Sequence, residues 1–259
     1  MRCYTSCGRR RKWVASMRDW AVDNRILTVI GGSHAYGLNT PDSDWDYRSV
    51  AMPPVTWLLG FPPEDGKWTA TLKGDEDTVV HALPKFCRLA LGCNPNIIEM
   101  LFCRDEDVVF QDARGKELRS IRDAFLSKRA AKTFGGYAVS QLRGMKNHNS
   151  KHGSHGDLIA KHQYDTKSAM HLVRLVRVGL EIAKTGNVNV YRQDAEELLS
   201  IRNGAWTYGQ VVEYAEGAMR DLDEHMKTSV LPDDPCTALI ESWLVSTQAE
   251  WVERWRDDN

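Results

Sequence analysis

Asp44 and Asp46 stand one residue apart, shortly after a Gly31-Gly32-Ser33 turn. The turn follows the apolar run Ile26-Leu27-Thr28-Val29-Ile30, which reads as a strand, and a second strand over 44–51 carries Asp44, Asp46 and Arg48 at alternate positions. Alternate residues of a strand share a face, so the two carboxylates project together and Arg48 follows on the same side. Carboxylates held that close repel each other unless a cation sits between them. Their hard oxygens suit a divalent metal. The glycine-serine turn beside them offers main-chain N–H groups and a hydroxyl to a phosphate.

Such a site needs a sheet to hold the acids and helices to wall a cleft. The pattern predicts a helix over 9–24, with Trp13, Met17, Trp20 and Ala21 at helical spacing. After the strands 26–31 and 44–51, the prolines and Gly66 of 53–74 suggest an irregular excursion, or a hairpin around Val55–Leu59. Asp77–Ala82 is a third strand, and Pro84 opens a helix over Lys85–Leu91. Asn94-Pro95-Asn96 breaks it before Ile97–Phe102; Val108-Val109-Phe110 is a short fourth strand and Gln111–Leu126 a helix. Beyond 126 the segments 129–146, 158–185, 194–200, 207–227 and 236–256 read as helices, with Val188-Asn189-Val190 the one further strand candidate. The expected fold is therefore an α/β (α+β) head with a short mixed sheet, residues 1–126, followed by an all-α domain, 127–259, that completes the cleft.

Composition narrows the class. No apolar run is long enough to cross a bilayer, so no membrane partner is expected. No apolar signal core follows the basic stretch Met1–Lys12, which makes the cytoplasm the default location. Cys3, Cys7, Cys87, Cys93, Cys103 and Cys236 form no CxxC pair and read as reduced thiols. The net charge of −1 hides an uneven distribution, basic from Arg114 to Lys184 and acidic from Asp194 onward. A basic middle could face a polyanion, or both regions could be solvated helix faces.

Other residues stand out from their surroundings. Lys85 and Glu99 are polar in an otherwise apolar segment; Glu99 could act as a general base, orient one, pair with Lys85 or cap a helix. Lys167, His171 and Arg174 form one stripe of a helix that is apolar around most of its circumference. Cations on a buried helix must meet a cleft, a counter-charge or a ligand. Tyr137 and Gln141 lie one turn apart, and Tyr137 either stacks on a base or packs between helices. His148, His152, His155 and His162 lie among Gly, Ser and Asn without a cysteine, and read as a loop rather than a zinc site.

An apolar strand, Gly-Ser and then an acid-x-acid strand resemble the signature of the DNA polymerase β-like nucleotidyltransferase superfamily. The fuller form, Gly32-Ser33-His34-Ala35-Tyr36-Gly37-Leu38-Asn39-Thr40-Pro41-Asp42-Ser43-Asp44-Trp45-Asp46-Tyr47-Arg48, is similar to its RlaP-like branch, associated with RNA repair and common in bacteria and phages. Lys85-Phe86, Asn94-Pro95 and Glu99 fit that branch, as does Lys167-x-x-Met170-His171-Leu172-x-Arg174-Leu175. The resemblance implies transfer of a nucleoside monophosphate from an NTP to an acceptor hydroxyl, with release of pyrophosphate. It implies a third carboxylate from a neighbouring strand, with Asp77 the candidate and Glu76 the runner-up; Val79 and His81 share the face of Asp77. Asp44, Asp46 and Asp77 would hold two Mg²⁺ or Mn²⁺ ions. Gly32, Ser33, Tyr36, Ser43, Arg48, Lys167, His171 and Arg174 would serve the NTP and its phosphates, and Lys85, Glu99, Tyr137 and Gln141 the acceptor or base.

The leading acceptor is an RNA or tRNA end. The rival readings are nucleotidylation of a protein or small-molecule hydroxyl, and a non-catalytic nucleotide-binding module. The sequence leaves the nucleobase and the oligomeric state open.

Overall fold

The computed structural model describes residues 19–258, apart from 64, 65, 67, 74–76, 147–158 and 160. The helix expected over 9–24 is described only at its end, α1 (Asp19–Asp23). Trp13, Met17, Glu76, Cys3, Cys7, His148, His152 and His155 lie outside the described residues.

β1 (Arg25–Ile30) is apolar and almost wholly buried, as a central strand must be. It is followed by α2 (Gly32–Tyr36), β2 (Asp46–Ala51), α3 (Val55–Leu59), β3 (Thr69–Leu72) and β4 (Asp77–Ala82). Next come α4 (Leu83–Leu91), α5 (Pro95–Phe102), β5 (Val108–Gln111) and α6 (Ala113–Ser120). The five strands make a mixed sheet in the order β3-β4-β2-β1-β5, in which only the β2–β4 pair is parallel. A buried cross-strand contact of 2.9 Å joins the Thr28 and Ser49 hydroxyls at its centre.

Each sheet face is covered differently. Ala51, Val80 and Ala82 look toward a tryptophan cluster in which Trp20, Trp57 and Trp68 meet edge to face. Leu27, Val29 and Val50 look the other way, into the main core. α4 lies on that side through Leu83, Phe86, Cys87 and Ala90, with a proline in its first turn.

The rest is helical: α7 (Lys128–Lys146), α8 (Thr166–Thr185), α9 (Ala195–Arg202), α10 (Tyr208–Thr228) and α11 (Thr237–Asp257). α8 packs against α7, α9 and α10. α11 returns to the head, where the Trp251 indole donates to the Pro53 carbonyl at 2.9 Å. One continuous apolar cluster runs from Ile26 of the sheet to Ile240 of α11. Among the described residues no strand follows Gln111, and no helix is long and apolar enough to cross a membrane.

The structure corrects several boundaries. The second strand starts at Asp46, because Thr40–Ser43 closes a turn in which the Ser43 hydroxyl accepts from the Thr40 N–H at 2.8 Å. The proline-rich stretch 53–74 forms α3 and the edge strand β3. The helix expected over 111–126 divides into the end of β5, α6 and a 3₁₀ turn (Arg122–Phe125), because Asp112 caps α6 by accepting from Gly115 N–H at 2.9 Å. The helix expected over 158–185 is broken: the described residues 159, 161 and 162 are helical, and α8 starts afresh at Thr166, capped by Asp165. Val188–Val190 is not a strand but buries Val188 and Val190 in the core.

Candidate active site

β1 delivers the chain into Gly31, whose N–H donates to the Asp46 carbonyl at 2.7 Å. The backbone then coils into the single turn of α2, where no side chain caps the N-terminus. The N–H groups of Gly32, Ser33 and His34 have no acceptor within such a turn and carry its positive dipole end. Gly32 has φ +60°, and a β-carbon there would lie 2.1 Å from Asp46 Oδ2. Only glycine lets the carboxylate come so close to the turn.

Asp46 is the in-register neighbour of Asp77 across the parallel β2–β4 pair. Adjacent strands lie about 4.8 Å apart, so the two carboxylates rise side by side. Asp44, Asp46 and Asp77 are exposed, and no described side chain forms an ion pair with any of them. Among the described residues, no three His, Cys, Asp or Glu side chains are gathered tightly enough to hold a metal unaided. Asp44 precedes β2 and lies outside the strand register.

Behind the acids the same face continues through Arg48 and Val79 to Val50 and His81. Arg48 Nη1 donates to the Asn96 carbonyl at 3.1 Å. His81 is 3.0 Å from the Thr69 hydroxyl, and burial, with the Arg48 and Lys85 charges, brings its pKa down to about 4.

A second cluster lies at the far end of α2. The Tyr36 hydroxyl donates to Glu99 Oε2 at 2.7 Å, while Arg174 Nη1 donates to Glu99 Oε1. The Arg174 guanidinium stacks on the Tyr36 ring, 3.7 Å from its centroid. Glu99 and Arg174 are each 4% exposed, and burial pushes the Tyr36 hydroxyl up to about 12. The alternatives open for Glu99 thus resolve to a buried partner, but of Arg174 rather than Lys85. Arg174 is buried, whereas Lys167 and His171 of the same stripe are half-buried.

The remaining candidates disperse. The Ser43 hydroxyl is engaged in its own turn. Tyr137 is 39% exposed on α7, and its hydroxyl accepts from Asn94 Nδ2 at 2.9 Å; Gln141 lies one turn on. Trp45, not among the candidates, is 45% exposed between the two acids and stacks on His34 with centroids 3.8 Å apart. The alternation of acid and aromatic over Asp44–Tyr47 was the available signal. Nothing in local pattern marked Tyr191 and Arg192, which also reach α2.

A family model described as RlaP, the RNA repair pathway DNA polymerase beta family, matches residues 18–246, and the chain belongs to that family. It is thereby a protein of the polymerase β-like nucleotidyltransferase class. An uncharacterized 38.9 kDa protein of Enterobacteria phage T4, from the nrdC–mobD intergenic region, is 29% identical over 138 residues. That match covers 50% of this chain and 39% of the phage protein, so the chain spans well under two thirds of that relative. A solved nucleotidyltransferase-like protein from Exiguobacterium sibiricum 255-15 shows 9% identity and a TM-score of 0.29, over 84% of this chain and 74% of its own.

Proposed function

We propose that the chain moves a nucleoside monophosphate from an NTP to an acceptor hydroxyl, foremost that of an RNA or tRNA end. The observation that carries this reading is Asp46, in register with Asp77, set directly against the uncapped start of α2. The acceptor hydroxyl oxygen would attack the α-phosphorus and lose its proton to solvent, the bond from that phosphorus to the bridging oxygen of the β-phosphate would break, and pyrophosphate would leave.

The donors fit Mg²⁺ or Mn²⁺, being exposed hard oxygens without a competing cationic partner. Magnesium commonly takes one or two carboxylates and completes its shell with water and substrate phosphates, so carboxylates among Asp44, Asp46 and Asp77 would hold it. Two such ions would activate the attacking oxygen and neutralise charge on the leaving group. The chain's own groups do the positioning. The α2 amides and the Ser33 hydroxyl would cradle the β- and γ-phosphates. Lys167 and His171 would face the triphosphate from α8, and Arg48 would hold the sheet side.

Exposed Lys132, Tyr137 and Arg143 along α7 favour a nucleic acid acceptor, combining cations with a ring that can stack on a base. Buried, unpaired Cys87, Cys93 and Cys103 suit a reducing cytoplasm. Incubating the protein with each α-labelled NTP, Mg²⁺ and either total RNA, protein or small hydroxyl compounds tests the assignment. Label should enter RNA, with acceptor use falling steeply as salt rises. Salt-insensitive labelling of protein or a small molecule would replace the RNA acceptor, and no labelling in any arm would leave a nucleotide-binding module.

A further inference from the structure

We infer that Arg174 serves the nucleotide without touching it: with Glu99 and the segment after α8 it forms a strut that fixes the α2 phosphate turn through Tyr36 and Gly37. This rests on the nucleotidyl transfer proposed above. Both Glu99 oxygens are occupied, one by the Tyr36 hydroxyl and one by Arg174. Arg174 is further held on the Tyr36 ring. The residual cavity between Gly31, Tyr36, Arg48, Glu99 and Val190 measures only about 10 Å³, room for no more than one water and too small for any substrate group.

A second tether reaches the same end of α2 from the chain after α8. The Arg192 N–H donates to the Tyr36 carbonyl at 3.0 Å. The Tyr191 ring packs so tightly on Gly37 that a β-carbon there would lie 2.8 Å from it, and the Arg104 guanidinium stacks on that ring at 3.7 Å. This segment is itself anchored to α8: the Arg192 guanidinium bridges Glu181 and Asp194 at 2.8 Å each, and Asp194 also accepts from Arg177 at 2.6 Å. α2 is thus gripped at its Tyr36–Gly37 end by side chain and main chain. Its Gly32–His34 end, where the phosphates would bind, is left uncapped. Tyr36, Glu99, Arg174 and Tyr191 are positioning residues, and the helical half sets the geometry of a turn that belongs to the head.

The test is a double-mutant cycle on binding of the α,β-non-hydrolysable analogue of each NTP, with Mg²⁺, measured by calorimetry at a temperature where circular dichroism shows every variant folded. Tyr36→Phe and Arg174→Gln should each weaken binding about tenfold, because small displacements of a binding group are expensive. The double variant should be no weaker than the worse single one, since both act through one turn. Tyr191→Ala, remote from any phosphate, should weaken binding too, and Tyr191→Phe should restore it because packing alone is at stake. Additive effects of Tyr36→Phe and Arg174→Gln would make Arg174 a direct phosphate ligand and overturn the strut. So would an unchanged affinity in Tyr191→Ala and Tyr36→Phe accompanied only by a lower melting temperature. Failure of the wild type to bind any analogue would overturn the nucleotidyl-transfer reading with it, whereas normal wild-type binding with additive variants removes the strut alone.

Discussion

At Gly32 a left-handed backbone and a carboxylate contact coincide, since φ is +60° and Asp46 Oδ2 occupies the space of a side chain. Gly32→Ala must therefore both strain the turn, at about 1–3 kcal/mol, and push the acid away. Nucleotidyl transfer by that variant should fall by about 10²-fold or more while circular dichroism shows a native helix content; steady-state kinetics on the folded variant checks this. His81 makes a different prediction. Its folded pKa of about 4 lies below the ordinary 6.5, so between those values the unfolded chain binds a proton that the folded site refuses. Stability contributed by the neutral imidazole is thus complete above pH 6.5 and is lost as pH falls toward 4, by at most ~3 kcal/mol. Urea unfolding from pH 7 to 4 should show the loss, and His81→Gln should flatten it. The acids and the glycine were legible in the sequence because their chemistry is written in residue type and spacing. The partner of Arg174 was not, since Glu99 lies 75 positions away and Tyr36 a further 63 before it; only the fold brings them together.

At the scale of elements, α6 lies hard against the central strand. A β-carbon on Gly115 would sit 2.0 Å from the Ile26 carbonyl, which is backbone and cannot swing aside. Gly115→Ala should therefore force the helix off β1 at a cost of about 1–3 kcal/mol, read as a lowered melting temperature, whereas Gly136→Ala, with open space around it, should not lower it. Alternation and apolar runs made β1, β2 and β4 readable. The edge strand β3 was missed because it is a short piece within a stretch whose prolines mark turns more strongly than Thr69–Leu72 marks a strand. The starts of α6 and α8 carried readable caps, Asp112 three residues before Gly115 and Asp165 three before Ser168, but helical periodicity ran through both and masked them.

For the whole molecule, the mixed sheet followed by helices is legible in the sequence, and so is the family that the match over residues 18–246 shows. What pattern could not reveal is how closely the parts are joined, because α11 folds back to the head and one apolar cluster links Ile26 with Ile240. Heat or denaturant should consequently unfold the protein in one cooperative step, seen alike by tryptophan fluorescence and circular dichroism; two separated transitions would favour independent units divided near residue 126. The proposed transfer of a nucleoside monophosphate at Asp46 and Asp77 can be followed by supplying the same NTP labelled at the α- or the γ-phosphate, with Mg²⁺ and RNA, to the wild type, Asp46→Asn and Asp77→Asn. Only the α-label should join the RNA, pyrophosphate should appear in equal amount, and both variants should stay folded and lose the reaction. Transfer of the γ-label, or full α-label transfer by either variant, would contradict it.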